Sequence, residues 1–234
     1  MIQLVDQRSD LGYIILKPNW RDTMNIIDIP TEQTTALTDL LMGLLVIVLF
    51  LFINRMRSST NTPKIFIWLC VFGFLGFASL VGTVAHGFAM SHELNFWLWQ
   101  PINLALGMVI AMFVVGTTFD IWGESIYRRI LLPMVGVAVI FYAITVIIPG
   151  TFLTFVAYEA VAMLFALGGY IFLALIGKLK GAWWMVAGIL ITMIAAVIQA
   201  VGKDGIFIFW GLDHNGVFHL IQMFGVLGLT IGLH

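Results

Sequence analysis

Residues 36–54 read ALTDLLMGLLVIVLFLFIN, an apolar run with a single charged side chain, Asp39. A helix needs about 18 or more such residues to cross the hydrocarbon core of a bilayer, so this stretch alone predicts a membrane span. Six more stretches of the same kind follow, over residues 65–88, 97–119, 130–148, 151–176, 182–202 and 215–234. Between the fourth and fifth stand only Pro149 and Gly150, a helix-breaking pair that predicts a tight hairpin. The expected fold is therefore all-α, a polytopic membrane protein built as a seven-transmembrane-helix bundle.

Composition agrees. Hydrophobic residues make up 61% of the 234 and charged residues 10%, with a mean hydropathy of +1.05. A water-soluble domain carries roughly 25% charged residues, so lipid is expected to cover most of this surface. The formal net charge of -1 and the absence of any basic stripe exclude nucleic acid as a partner. The single cysteine, Cys70, rules out a disulfide framework and a cysteine-based metal site.

Orientation follows from the cations. Arg55, Arg57 and Lys64 follow the first span, Arg128 and Arg129 the third, and Lys178 and Lys180 the fifth, seven of the eleven in all. The opposite loops hold Lys203 with Glu93, Asp204 and Asp213. The positive-inside rule then predicts an extracytoplasmic N-terminus and a cytoplasmic C-terminus. Trp97, Trp99 and Trp210 fall at the outer interface and Trp183 and Trp184 at the inner one, the aromatic belt expected of such a bundle. Residues 1–35, with Pro18, Pro30 and mixed polarity, read as a short extracytoplasmic tail, and residues 36–234 as one transmembrane domain.

Polar side chains inside a membrane are costly and mark function by default. Here they gather in one layer. The second span offers Ser79, Thr83 and His86 on one face of its outer half. The seventh enters with Asp213, His214, Asn215, His219 and Gln222, and the fifth places Glu159 roughly 12 Å deep by the helical rise. Asp39, Asn103 and Gln199 fall in the same outer half, whereas the inner half offers chiefly Thr117, Thr118 and Thr192. One polar chamber open toward the outer side is the expectation.

Three histidines with carboxylates in such a chamber suit a divalent metal. Neutral imidazoles bind zinc, and a bound water has its pKa lowered toward roughly 7. Glu159 or Asp213 would then serve as general base, and Ser79 or Thr83 would donate to a developing oxyanion. Structural readings compete at each position. His86 and His219 read also as buried histidines bonded to a neighbouring helix, Asp213 as a helix cap beside His214, and Glu159 as a neutral hydrogen-bonded carboxyl. Asp39 reads as an acidic group in a first helical turn, favoured by the helix dipole. His92 and His234 read as solvated. Gly228 and Gly232 read as a small-residue pair that packs one bundle helix rather than driving dimerisation.

SLVGTVAH, from Ser79 to His86, and DHNGVFHLIQ, from Asp213 to Gln222, in a seven-helix chain with its N-terminus outside, resemble the CREST membrane hydrolases, which include alkaline ceramidases and adiponectin-type receptors. The resemblance implies a zinc ion held by His86, His214 and His219, and hydrolysis of an amide, or an ester, in a membrane lipid or lipid-like substrate. The chain departs from the family pattern at three places. Gly82 stands where the family has a serine, Gln100 and Asn103 stand near its helix-three aspartate, and its HxxxH spacing is replaced by two histidines five residues apart. Five residues of ideal helix turn a side chain by about 140°, so His214 and His219 can share an ion only if the backbone around Asp213 leaves the helical path. The competing class is a non-catalytic ligand-binding, sensor or transport protein using the same chamber. No pair of broken helices marks two transporter halves, and the seventh span lacks the lysine a retinal Schiff base needs.

Overall fold

The computed structural model describes residues 25–56, 62–148, 152–202 and 211–234. Residues 1–24 of the expected tail, Arg57, the Pro149–Gly150 break, Lys203, Asp204 and Trp210 lie outside the described residues. Seven helices are present there: α1 (Pro30–Arg55), α2 (Thr62–Gly87), α3 (His92–Trp122), α4 (Glu124–Ile147), α5 (Phe152–Leu175), α6 (Ala182–Val201) and α7 (His214–Leu233). Each is long and apolar enough to cross a membrane. Two short strands, β1 (Asn25–Ile26) and β2 (Phe88–Ala89), pair antiparallel and tie the approach to α1 to the turn between α2 and α3. We term the end of the bundle at which α1 starts the upper end.

Three helices, α1, α3 and α4, begin well before their apolar runs. Pro30 occupies the first helical turn of α1, where its missing N–H costs nothing, and Glu32 follows it in the position the helix dipole favours. Helical backbone thus reaches into the stretch expected to be tail. At α3, Ser91 caps the helix by accepting from Leu94 N, and Pro101 is accommodated inside it. Gly123, at φ 83°, breaks the path between α3 and α4.

Helices α1, α2, α3, α5, α6 and α7 form a closed ring, each packed on the next and α7 back on α1. α4 packs on α3 outside that ring and buries only Ala138 and Phe141. Along α1 the pattern is clean. Thr35, Asp39, Met42, Val46, Leu49 and Ile53 are buried, and Leu37, Leu41, Leu44, Val48 and Leu51 face outward, as lipid-facing residues do. Lipid is as apolar as leucine, so close packing at small residues rather than hydrophobic burial holds such seams together. A side chain at Gly43 would meet Leu80, and one at Gly228 would meet the backbone of Gly188. Gly228 and Gly232 therefore pack α7 onto α6 within the bundle.

Candidate functional site

The upper end is organised by a polar stripe on α1. Glu32, Thr35, Thr38 and Asp39 lie within about 120° of one another on the helix surface. Because α1 starts at Pro30, Asp39 is its tenth residue and sits well below the first turn, 5% exposed. The dipole reading of Asp39 is therefore replaced by a tertiary one. Each polar group on this stripe meets a partner from α2 or α7.

His219 of α7 lies with Nδ1 3.1 Å from Thr38 Oγ1 and Nε2 3.3 Å from Asp39 Oδ1. The Thr38 hydroxyl also lies 2.9 Å from Thr35 O, so it bridges its own helix and the His219 ring, while the second ring nitrogen faces the Asp39 carboxyl. The other oxygen of Asp39 rests against α2 at Gly82, where an added Cβ would stand 2.8 Å from Oδ2. Glycine at this position is what makes room for the carboxyl.

A second histidine–carboxylate pair lies alongside. His86 Nδ1 stands 2.7 Å from Glu32 Oε2, and its ring meets Trp99 edge-on at 5.4 Å. A third carboxylate, Asp213, caps α7: Oδ1 accepts from Gly216 N and from Thr35 Oγ1, both at 2.9 Å. Its other oxygen accepts from Asn215 Nδ2 at 3.4 Å, and Asn215 Oδ1 accepts from Gln199 Nε2 of α6 at 3.1 Å. One hydrogen-bonded layer thus joins α1, α7 and α6.

The expected site residues divide. Asp39, His86, His219, Asp213, Asn215 and Gln199 are brought into this layer. Gln222 shares a helix face with His219, is 8% exposed, and its Oε1 has no hydrogen-bond partner among the described residues. His214 opens α7 and is buried against Gly202 at the end of α6. Regular helix from His214 onward turns it by about 140° from His219, which faces α1. The structure therefore does not gather His86, His214 and His219 on one point, and among the described residues no three His, Cys, Asp or Glu side chains are placed to hold a metal. Thr83 donates to Ser79 O along its own helix, and Ser79 is buried. Glu159 is half-buried on α5, which packs on α3 and α6, and no hydrogen bond or ion pair engages it among the described residues.

Glu32, Thr35 and Thr38 were not singled out as site residues, and a threonine–acid stripe continuing upstream past a proline was the available signal. The lower end holds a larger surprise. Lys64, counted above among the cations that follow the first span, is 8% exposed and bonds Asp120 Oδ1 at 2.8 Å, while Asp120 Oδ2 accepts from Tyr170 OH at 2.9 Å. The lower end thus holds charged side chains besides the threonines expected there.

The fold and the upper layer define an all-α bundle of seven helices with the properties of a multi-pass integral membrane protein. The chain belongs to the family of unknown function DUF6962, whose sequence profile matches residues 34–234. No curated protein and no solved structure matches it.

Proposed function

We propose that this chain is a membrane ligand-binding protein, a sensor or carrier, whose upper layer takes a small protonated amine or another ligand rich in hydrogen-bond donors. The observation that carries this reading is the charge of the layer. Glu32, Asp39 and Asp213 meet there, no Lys or Arg among the described residues stands at that end, and the buried Gln222 keeps an acceptor oxygen without a donor. An anionic ligand would find acidic side chains there and no Lys or Arg among the described residues to receive it. A cationic one would find the carboxyl oxygens of Glu32, Asp39 and Asp213 as acceptors. On this reading the ligand enters from outside, because Arg55, Arg128, Arg129, Lys178 and Lys180 collect at the lower end, the end the positive-inside rule favours for the cytoplasm.

Thermal unfolding of the purified protein with a panel of primary amines and matching carboxylates tests this. An amine at about 100 times its dissociation constant stabilises the folded state by about 2.7 kcal/mol, and the shift is expected to vanish in Asp39→Asn. Equal shifts from carboxylates, or none from any amine, would count against it. Hydrolysis by metal-activated water, which the CREST resemblance implies, is the second reading. Metal analysis separates the two: ligand binding expects no stoichiometric zinc, whereas one equivalent lost in His86→Ala would replace it with the hydrolase.

A further inference from the structure

The lower end carries a buried polar network that the upper layer does not use. Lys64 at the start of α2, Asp120 near the end of α3 and Tyr170 on α5 meet through both oxygens of one carboxylate, at 2.8 and 2.9 Å. The side chains of Lys64 and Asp120 are 10% and 5% exposed, and Tyr170 is fully buried. One turn above Lys64 on the same face, Trp68 is also fully buried, and its Nε1 has no hydrogen-bond partner among the described residues. That nitrogen is aimed at α3 beside Gly116, where an added Cβ would stand 3.3 Å from it. One turn below Gly116 is Asp120. An ion pair, a phenol and an orphaned indole N–H are therefore stacked in one column between α2, α3 and α5.

As a permanent joint this column is poorly chosen. A buried ion pair is commonly no better for stability than well-packed apolar side chains of the same volume, because both charges must leave water. An unpaired buried N–H adds a further cost. Both costs fall away when water reaches the column. The seam it closes is also particular, because α3 and α5 are not consecutive helices and α4 lies outside the ring beside them. At the same seam Gly169 lets α5 approach Thr117 and Ile121, and Lys178 Nζ donates to Ile121 O at 3.0 Å, so the lower end of α3 is held by α5 and its following turn.

We infer that the Lys64–Asp120–Tyr170 network is a gate, an ionic lock that shuts the lower end of the helix ring against water and opens by withdrawal of α5 from α2 and α3. In the open state water solvates Lys64 and Asp120 and supplies the acceptor that Trp68 Nε1 lacks. The gate goes beyond the ligand-binding reading and does not depend on what, if anything, the upper layer binds.

A buried reporter reads the gate directly. Val71 lies two turns above Lys64 on the same face of α2 and is 3% exposed, and the chain's only cysteine is its neighbour Cys70. In a Cys70→Ala, Val71→Cys background, a charged maleimide is added to the full-length protein in nanodiscs well below its unfolding temperature. Asp120→Asn and Lys64→Met are each expected to raise the alkylation rate by about tenfold or more, as a minor open state becomes populated. Tyr170→Phe, which removes one bond and no charge, gives a smaller rise and serves if the charge variants do not fold. The double variant Lys64→Met, Asp120→Leu, which refills the column with apolar atoms, is expected to return the rate to that of the parent. Leu229→Cys, 4% exposed on α7 and away from the seam, reports general loosening. The gate is refuted if folded Asp120→Asn and Tyr170→Phe leave the Val71→Cys rate unchanged. It is equally refuted if the Leu229→Cys rate rises in parallel, which is the behaviour of a joint that only holds the fold together.

Discussion

At the scale of single residues, the upper layer turns on what is missing from Gly82. Asp39 can sit between α1, α2 and α7 because no side chain stands at that position, and Gly82→Ala would bring a Cβ to 2.8 Å from its carboxyl. Overpacking of this kind is expected to cost about 1–3 kcal/mol, measured by denaturant or thermal unfolding in detergent, and Gly82→Ser should do no better. A cost near zero would mean the carboxyl is not lodged there. His219→Ala approaches the same contact from the other side. It strands a buried carboxyl and is expected to cost about 1–3 kcal/mol, more than Thr38→Val, which leaves the pair intact. Asp39 was visible in the sequence, but its role was not. With the first helix begun at residue 36 it falls in the first turn, where the dipole explains it; beginning the helix at Pro30 moves it to a depth where only a partner does.

At the scale of elements, the start of α7 does two jobs with one side chain. Asp213 satisfies the Gly216 N–H and accepts from Thr35, so it caps its own helix and fastens it to α1. Asp213→Ala is expected to cost more than the about 1 kcal/mol of a lost cap, while Asp213→Asn, which keeps the acceptor, should retain most of the stability. Equal losses in the two variants would point to charge rather than hydrogen bonding. The seven spans were legible because each apolar run has about the length a helix needs to cross the hydrocarbon core, and their order along the chain fixes which end each polar residue occupies. Helix ends were less so, since Ser91 and Pro30 extend two helices through polar sequence. The lower network was illegible for a related reason. Lys64, Asp120 and Tyr170 belong to the ends of three helices far apart in sequence, and a lysine next to a span reads as a surface cation until α3 and α5 are seen to enclose it. Rotation about α7 was legible as geometry, in that five residues of helix separate His214 from His219 by a large angle whatever the fold.

At the scale of the whole molecule, the ring has an orientation that labelling can check. Ala89, on β2, and Lys180, after α5, are both exposed and at opposite ends. In a Cys70→Ala background, Ala89→Cys is expected to react with an impermeant maleimide on intact cells and Lys180→Cys only after permeabilisation, and the reverse pattern would invert the bundle and move the acid–histidine layer to the cytoplasm. The ring also has a seam between its first and last members, because α1 packs on α7. Thr35, Thr38 and Asp39 are made before Asp213 and His219, with five helices between them. Until α7 is in place the buried Asp39 carboxyl of α1 therefore lacks the imidazole that it meets in the folded bundle. Closing that seam joins the two helices furthest apart in the bundle's order, and a chain cut before α7 would leave Thr35, Thr38 and Asp39 without these partners.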